Sequence, residues 1–400
     1  MFHNKYVRLI LLSNILLQLG IWARNYAILL YVSDISNNNP YYVSLISAAE
    51  YGPIFLFSII GGTFADRWKP KLTMVWCDIL SGVSIFGVLL ALLYGSWHTV
   101  FLATLVSAVL SQFSQPSAMK LLKQHVKEDQ LQQVMAMYQT IASLFLIIGP
   151  MLGTFVYQKF GVEFSIGVMG VMFMASALVL LFLPADEVKS VPVRRQAFTR
   201  ELGKGLRYVW TNPALKRLAL LFGFVGLGAG LVQPMMIFIS TEQLGMGKDF
   251  LQWMTMASGA AMLLGGGVIM KLSAKFKPQT LLFMGLISSV VTTWGIGWST
   301  IPALTLVLQA VSGLFFPCIH IGINTLILRN TTQEFTGRVN GVMTPMLTGL
   351  MVVGMSASGF MKANLSLMIV YAVSSLLYAA GVVFLVPLFK REKDNVTIAG

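Results

Sequence analysis

Three charged side chains stand inside long apolar runs of this 400-residue chain: Arg24, Glu50 and Asp78. Ionisable groups are costly in a hydrocarbon interior, so each implies a partner, a water-filled cavity or a proton to carry. At about 1.5 Å per helical residue, Arg24 and Glu50 each lie about 14 Å from the outer ends of their runs, which are consecutive in sequence. The two are predicted to meet. Either charge left alone in a low dielectric is strongly penalised, whereas pairing cancels much of that penalty. Two chemistries stay open for the pair. It is either a static ion pair or a switch, in which separation of the charges lets Glu50 take up a proton. Asp78 lies about 9 Å from the inner end of its run and is predicted to be part of a gate.

Uncharged polar residues in the same runs extend the candidate site. Asn14, Gln18 and Asn25 fall within about 40° of one another at about 100° per residue, so the first run carries one polar stripe, predicted to face a central cavity. Gln112, Gln115, Gln139, Gln233, His320 and Asn324 are further cavity candidates. For each amide the competing reading is a hydrogen bond between neighbouring helices. For His320 it is a packed or hydrogen-bonded imidazole. The 23 methionines and 26 phenylalanines suit either an adaptable apolar pocket or ordinary packing.

The elements that must position these residues follow from composition. The chain is 56% apolar and 11% charged, with a mean hydropathy of +0.75. A soluble globular domain carries about a quarter charged residues, so that class is excluded. A hydrocarbon core about 30 Å thick needs about 20 helical residues per crossing, and the chain holds about a dozen. Apolar runs broken by charged or Pro/Gly-rich segments predict helices at 6–33, 41–65, 72–95, 98–119, 131–157 and 162–184. Six more follow at 214–241, 249–271, 279–298, 301–328, 338–361 and 364–389. The predicted fold is an all-α integral membrane protein, with twelve transmembrane helices in two six-helix bundles related by pseudo-two-fold symmetry. The bundles span residues 1–185 and 214–400, joined by a polar cytoplasmic linker at 186–213.

The formal net charge of +13 invites a nucleic-acid reading until its distribution is examined. Of the 28 Lys and Arg, 24 fall in segments on one side of the predicted helices. Only Lys159, Lys248 and Lys362 fall on the other, and Arg24 lies within a run. Cytoplasmic loops accumulate Lys and Arg, so both termini are predicted to be cytoplasmic in a multi-pass protein of the cell membrane, and no nucleic-acid partner is implied. Cys77 and Cys318 both lie in apolar runs, far apart in sequence, which fits neither a disulfide framework nor a zinc site. No metal or cofactor is predicted.

The halves also repeat. Arg67-Trp68-Lys69-Pro70 recurs 208 residues later as Lys275-Phe276-Lys277-Pro278, and Gly153 has a counterpart 206 residues on in Gly359. Basic turns with proline are common between helices, but two matches at nearly one offset point to duplication.

Gly62-Thr63-Phe64-Ala65-Asp66-Arg67-Trp68-Lys69-Pro70-Lys71-Leu72 resembles the signature between helices 2 and 3 of the major facilitator superfamily, with Lys69 where that family usually has glycine. The resemblance implies a cytoplasmic gate latched by Asp66 on the start of the eleventh helix, with Gly62 permitting close approach and Arg67 and Lys71 in support. Gly149-Pro150-Met151-Leu152-Gly153 resembles the core of the family's proton-antiporter signature, although Phe145 and Thr154 occupy positions where that signature has glycine. The competing reading is a packing kink, in which proline removes one helical hydrogen bond and glycine admits a neighbouring helix. The fourth run lacks the arginine carried by many drug antiporters of the family. Glu128-Asp129-Gln130-Leu131, Gly205-Leu206-Arg207-Tyr208-Val209 and Gly337-Arg338-Val339-Asn340-Gly341 resemble the macrolide-efflux and enterobactin-exporter-like branch.

This resemblance implies export of amphipathic small molecules or drugs by alternating access, with proton antiport. The alternative is a dedicated siderophore exporter or lysophospholipid translocator. The partners implied are the small-molecule substrate, protons and membrane lipids. An enzyme is disfavoured: the chain has no phosphate-binding P-loop, no Gly-x-Ser-x-Gly elbow and no paired metal-ligand histidines among its four. A channel is disfavoured by the duplicated gate loops.

Overall fold

The computed structural model describes the backbone of residues 4–184, 198–272, 276–332 and 335–398. Within these it describes all side chains except those of residues 58–67, 128, 129, 132, 198–202, 270–272 and 388–398. The helices of the first half are α1 (Lys5–Ile35), α2 (Pro40–Arg67), α3 (Pro70–Leu93), α4 (Thr99–His125) and α5 (Glu128–Leu181). A short α6 (Phe198–Thr211) precedes α7 (Pro213–Val232), which continues through a 3₁₀ turn, the single turn α8 (Met236–Phe238) and a π-helical turn ending at Gln243. Then come α9 (Phe250–Leu272), α10 (Pro278–Trp298), α11 (Pro302–Arg329), α12 (Thr336–Asn364) and α13 (Leu367–Ile398). Among the described residues there is no strand. Among the described residues, eight helices are long and apolar enough to cross a membrane by themselves.

Local chemistry explains the boundaries. Proline opens α2, α3, α7, α10 and α11, where its missing N–H costs nothing and its fixed φ suits the first turn. The predicted break between the fifth and sixth spans falls inside α5. Gly161 there adopts φ +81° and ψ 179°, which divides the 54-residue run into two arms, 128–160 and 162–181. With no Cβ, glycine takes this left-handed φ without strain. Among the helices with fully described side chains, α4 lies outside the apolar set because Ser107, Ser111, Gln112, Ser114, Gln115 and Ser117 stand in a single stretch of it.

By backbone proximity the chain divides into two units, residues 1–38 with 49–194, and residues 39–48 with 195–400, so the first turns of α2 group with the second unit. In the first unit α1 packs along α5, and α3 along α4 and α5. Its core includes Val7, Ile10, Met74, Leu121, Val134 and Leu180. In the second unit α7 packs along α12 and α13, and α11 along α9 and α10. Leu215, Leu218, Leu282, Ile323, Val339 and Leu385 anchor the core there.

The duplication read from the basic turns has a structural counterpart. Asn4 caps α1 by accepting from the Tyr6 N–H, and its amide donates to the carbonyl of His125, the last residue of α4 (2.8 Å). Asn212, 208 residues later, caps α7 by accepting from the Ala214 N–H and donates to the Asn330 carbonyl just past α11 (3.2 Å). One asparagine thus performs two tasks in each unit, satisfying an orphan N–H at a helix start and an orphan carbonyl at the end of a second helix.

Candidate functional site

The first unit contains a partly open cavity of about 400 Å³, lined by residues of α1 to α5. That lies within the range of small-molecule sites, about 300–1,000 Å³. Arg24, Glu50 and Asp78 all line it, together with Asn14, Gln18, Gln112, Gln115 and Gln139. Eight of the predicted residues, drawn from five helices, therefore converge on one space.

Arg24 and Glu50 come together, but not as the direct ion pair expected. Asn25 stands between them. Its side-chain carbonyl accepts from Arg24 Nε (2.9 Å) and also from Nη2, while its amide donates to Glu50 Oε1 (2.6 Å). Arg24 Nη1 donates to Ser107 Oγ on α4 (2.6 Å). The physical reason lies in the amide, which offers an acceptor to the cation and a donor to the anion at once. Arg24 is 3% exposed. A cation so deep is held by its hydrogen bonds and by the nearby opposite charge. Separating the two therefore requires breaking a neutral link rather than an ionic contact.

Asp78 is 2% exposed, and its Oδ2 accepts from Ser176 Oγ (2.6 Å) on the second arm of α5. Ser176 Oγ lies 2.7 Å from Ser13 Oγ on α1. Asn14 donates to the Tyr138 carbonyl (3.4 Å), and Gln112 donates to Ser111 Oγ (3.1 Å). Composition alone did not single out Ser13, Ser107, Ser176 or Tyr138. A helical-period stripe of small polar residues on α4, at 107, 111 and 114, was the available signal. Gln233, His320 and Asn324 belong to the second unit and are exposed. His320 rests against the Phe316 ring, with centroids 4.8 Å apart. At the offset of 208, the positions matching Arg24, Glu50 and Asp78 are Val232, Ser258 and Leu286, so the buried charges have no counterparts in the second half.

The side chains of the gate candidates Gly62, Asp66 and Arg67 lie outside the described residues. Lys71 Nζ donates to the Leu181 carbonyl (2.9 Å) and to that of Leu183, at the C-terminal end of α5. A lysine there satisfies orphan carbonyls and complements the negative end of the helix dipole. Lys71→Ala is expected to lower stability by about 1 kcal/mol, read as a fall in melting temperature. Unchanged melting with altered cysteine accessibility at this end of the helices would instead favour the latch role. In α5, a Cβ on Gly153 would approach the Trp22 carbonyl oxygen to 2.6 Å and Tyr26 Cβ to 2.7 Å, and one on Gly149 would run into the Trp22 indole. Pro150 stands between these two contacts.

The polar interval predicted as a plain link contains α6, whose buried positions Gly205 and Val209 face the start of α12. A Cβ on Gly205 would meet the Arg338 carbonyl oxygen at 2.7 Å. Tyr208 stacks on Phe335 with centroids 4.3 Å apart, and the Arg338 guanidinium lies over the same Phe335 ring. Two of the sequence stretches singled out above, at 205–209 and 337–341, thus form one contact.

Comparison with known proteins places this architecture. The chain is 25% identical over 334 residues to the multidrug efflux pump Tap of Mycobacterium tuberculosis, covering 79% of this chain and 77% of that one. It is 23% identical over 304 residues to the enterobactin exporter EntS of Shigella boydii, covering 73% and 70% respectively. Among solved structures, the nucleoside transporter NupG superposes with a TM-score of 0.78 at 13% identity, covering 96% of this chain and 100% of that one. These relatives and neighbours are transporters, and the long apolar helices are those of a multi-pass membrane protein. The family model described as Major Facilitator Superfamily matches residues 10–351 and 218–398, and the chain, helical throughout its described elements and with a cavity lined by three charged side chains in the first unit, belongs to that superfamily.

Proposed function

We propose that this protein exports amphipathic small molecules from the cytoplasm by alternating access, driven by proton antiport. The observation that carries the reading is the cavity itself. It offers about 400 Å³ with apolar walls and three charged side chains in a membrane-spanning unit, where charge persists only for a purpose. Similarity to a multidrug efflux pump supports the export direction and the substrate class. The Lys and Arg distribution supports cytoplasmic termini. In this reading Arg24, Asn25 and Glu50 form the coupling unit. While Asn25 links them, the carboxylate is matched by the nearby guanidinium. When helix movement breaks the link, Glu50 takes up a proton from water in the opened cavity. Asp66, Arg67 and Gly62 act at the cytoplasmic gate.

The second reading, a dedicated exporter of one siderophore or a translocator of lysophospholipid, is favoured by similarity to an enterobactin exporter. One experiment separates the two. Purified protein in liposomes under an imposed proton gradient is offered a panel of dyes, drugs, a catecholate siderophore and lysophospholipid, while internal pH is recorded. Substrate-dependent proton flux with many panel members supports drug export, and flux with one alone supports the dedicated reading. Substrate flux without proton movement removes the antiport.

A further inference from the structure

We propose that a groove between α3 and α4 holds one anionic phospholipid of the cytoplasmic leaflet, with its phosphate at the Lys69 ammonium and an acyl chain laid along α3. The proposal goes beyond the export reading and does not depend on it. Its starting point is a row of residues at helical spacing. Lys69, Leu72, Thr73, Trp76, Cys77 and Leu80 share one face of α3 and line a groove of about 570 Å³. Leu110 and Phe113 of α4 form its other described wall. Beside Lys69 the Trp68 indole stacks on Phe113, with centroids 5.8 Å apart.

The dimensions suit a lipid chain. From Lys69 to Leu80 the helix rises about 16 Å, and half of a hydrocarbon core about 30 Å thick is about 15 Å. The groove therefore runs the depth of one leaflet, starting on the side where Lys and Arg gather. Leu72, Trp76 and Leu80 are exposed, so it opens sideways, where a hydrocarbon chain can reach it and a water-soluble ligand cannot.

The charge selects the headgroup. Among the described residues of the lining Lys69 alone is charged; it is exposed at the N-terminal cap of α3 and forms no side-chain capping bond there. A cation at the leaflet boundary, above an apolar trough, is complementary to an anionic headgroup that carries a chain. The tryptophan next to it suits the same boundary. Lys69 also stands where the superfamily signature usually has glycine, so this cation is a feature of the chain itself. Farther along α3, Val83, Leu90 and Leu93 are exposed as well, but no charged residue follows Asp78 in that helix, and nothing there distinguishes one headgroup from another. Cys77 and Leu110 line both the groove and the polar cavity, so the bound chain lies against the back of the cavity wall.

The test uses full-length protein in phosphatidylcholine liposomes that contain a minor fraction of either phosphatidylglycerol or phosphatidylcholine brominated in mid-chain, which quenches tryptophans it touches. The Trp76 signal is the difference between wild type and Trp76→Phe. Its quenching by brominated phosphatidylglycerol should match that by brominated phosphatidylcholine at about five times the fraction, the preference that one lysine confers. Lys69→Gln should remove the preference without lowering the melting temperature, and Lys69→Arg should keep it. The wild-type comparison decides the matter alone if Lys69→Gln does not fold. Equal quenching by the two lipids in wild type overturns the proposal. A preference that survives in Lys69→Gln overturns it too, because the lipid is then gathered by the general basic charge of this face. Loss of the preference in inorganic phosphate, but not in chloride of the same ionic strength, identifies a site for free anions and also overturns it.

Discussion

Glu50→Gln is expected to abolish proton-driven accumulation of substrate in liposomes, down to the level of protein-free vesicles, while substrate counterflow without a gradient persists. Glutamine keeps the side-chain acceptor that receives the Asn25 amide at 2.6 Å, so the link on α2 survives in outline. It cannot take up or release a proton, so any step that needs Glu50 to change charge is removed. Arg24 keeps Ser107 and Asn25 as hydrogen-bond partners but loses its matching charge. An uncompensated buried cation is destabilising, and the double variant Arg24→Gln/Glu50→Gln restores neutrality and serves as the folding control. Uphill transport retained in Glu50→Gln would remove this carboxylate from the coupling and leave it a structural partner of Arg24.

How far this site was legible in the sequence depends on which physical rule each residue obeys. Depth along a helix is simple arithmetic, so the sequence alone puts Arg24 and Glu50 at the same level. What lies between two side chains depends on rotamers and helix rotation. The Asn25 bridge was therefore invisible, although Asn25 itself was picked out by its place in the polar stripe. Asp78 shows the complementary limit. Its distance from the helix end points to a gate, but a residue nearly two turns from a helix end can still face inward. Contact with Ser176, 98 residues away in sequence, decided its surroundings. Breaks governed by backbone chemistry, such as Gly161 with its positive φ, were legible. The π-helical turn at Ile239–Gln243 was not. There the Gln243 amide donates to the carbonyls of Ile296, Gly297 and Ser299 at the end of α10, a contact that no local pattern encodes.

The glycine-proline segment of α5 separates two explanations that the sequence left open, because its two glycines meet different kinds of atom. Beside Gly149 stands the Trp22 indole, a side chain that mutation can remove. Gly153 faces the Trp22 carbonyl oxygen and the Tyr26 Cβ, which Trp22→Ala does not remove. Adding a methyl group to a close-packed contact costs about 1–3 kcal/mol when neighbours cannot move. Gly149→Ala should therefore destabilise the protein by about 2 kcal/mol alone and by much less in the presence of Trp22→Ala, a coupling of at least about 1 kcal/mol. Gly153→Ala should be destabilising with or without Trp22→Ala. Melting temperatures of the five variants, measured in one detergent, complete both cycles. If the segment were instead a hinge that works through its own backbone, Trp22→Ala would rescue neither glycine, and Gly149→Ala would slow transport without lowering the melting temperature. Rescue at 149 and none at 153 assigns the segment to the α1–α5 seam, whose α1 contacts Trp22 and Tyr26 flank Arg24 and Asn25.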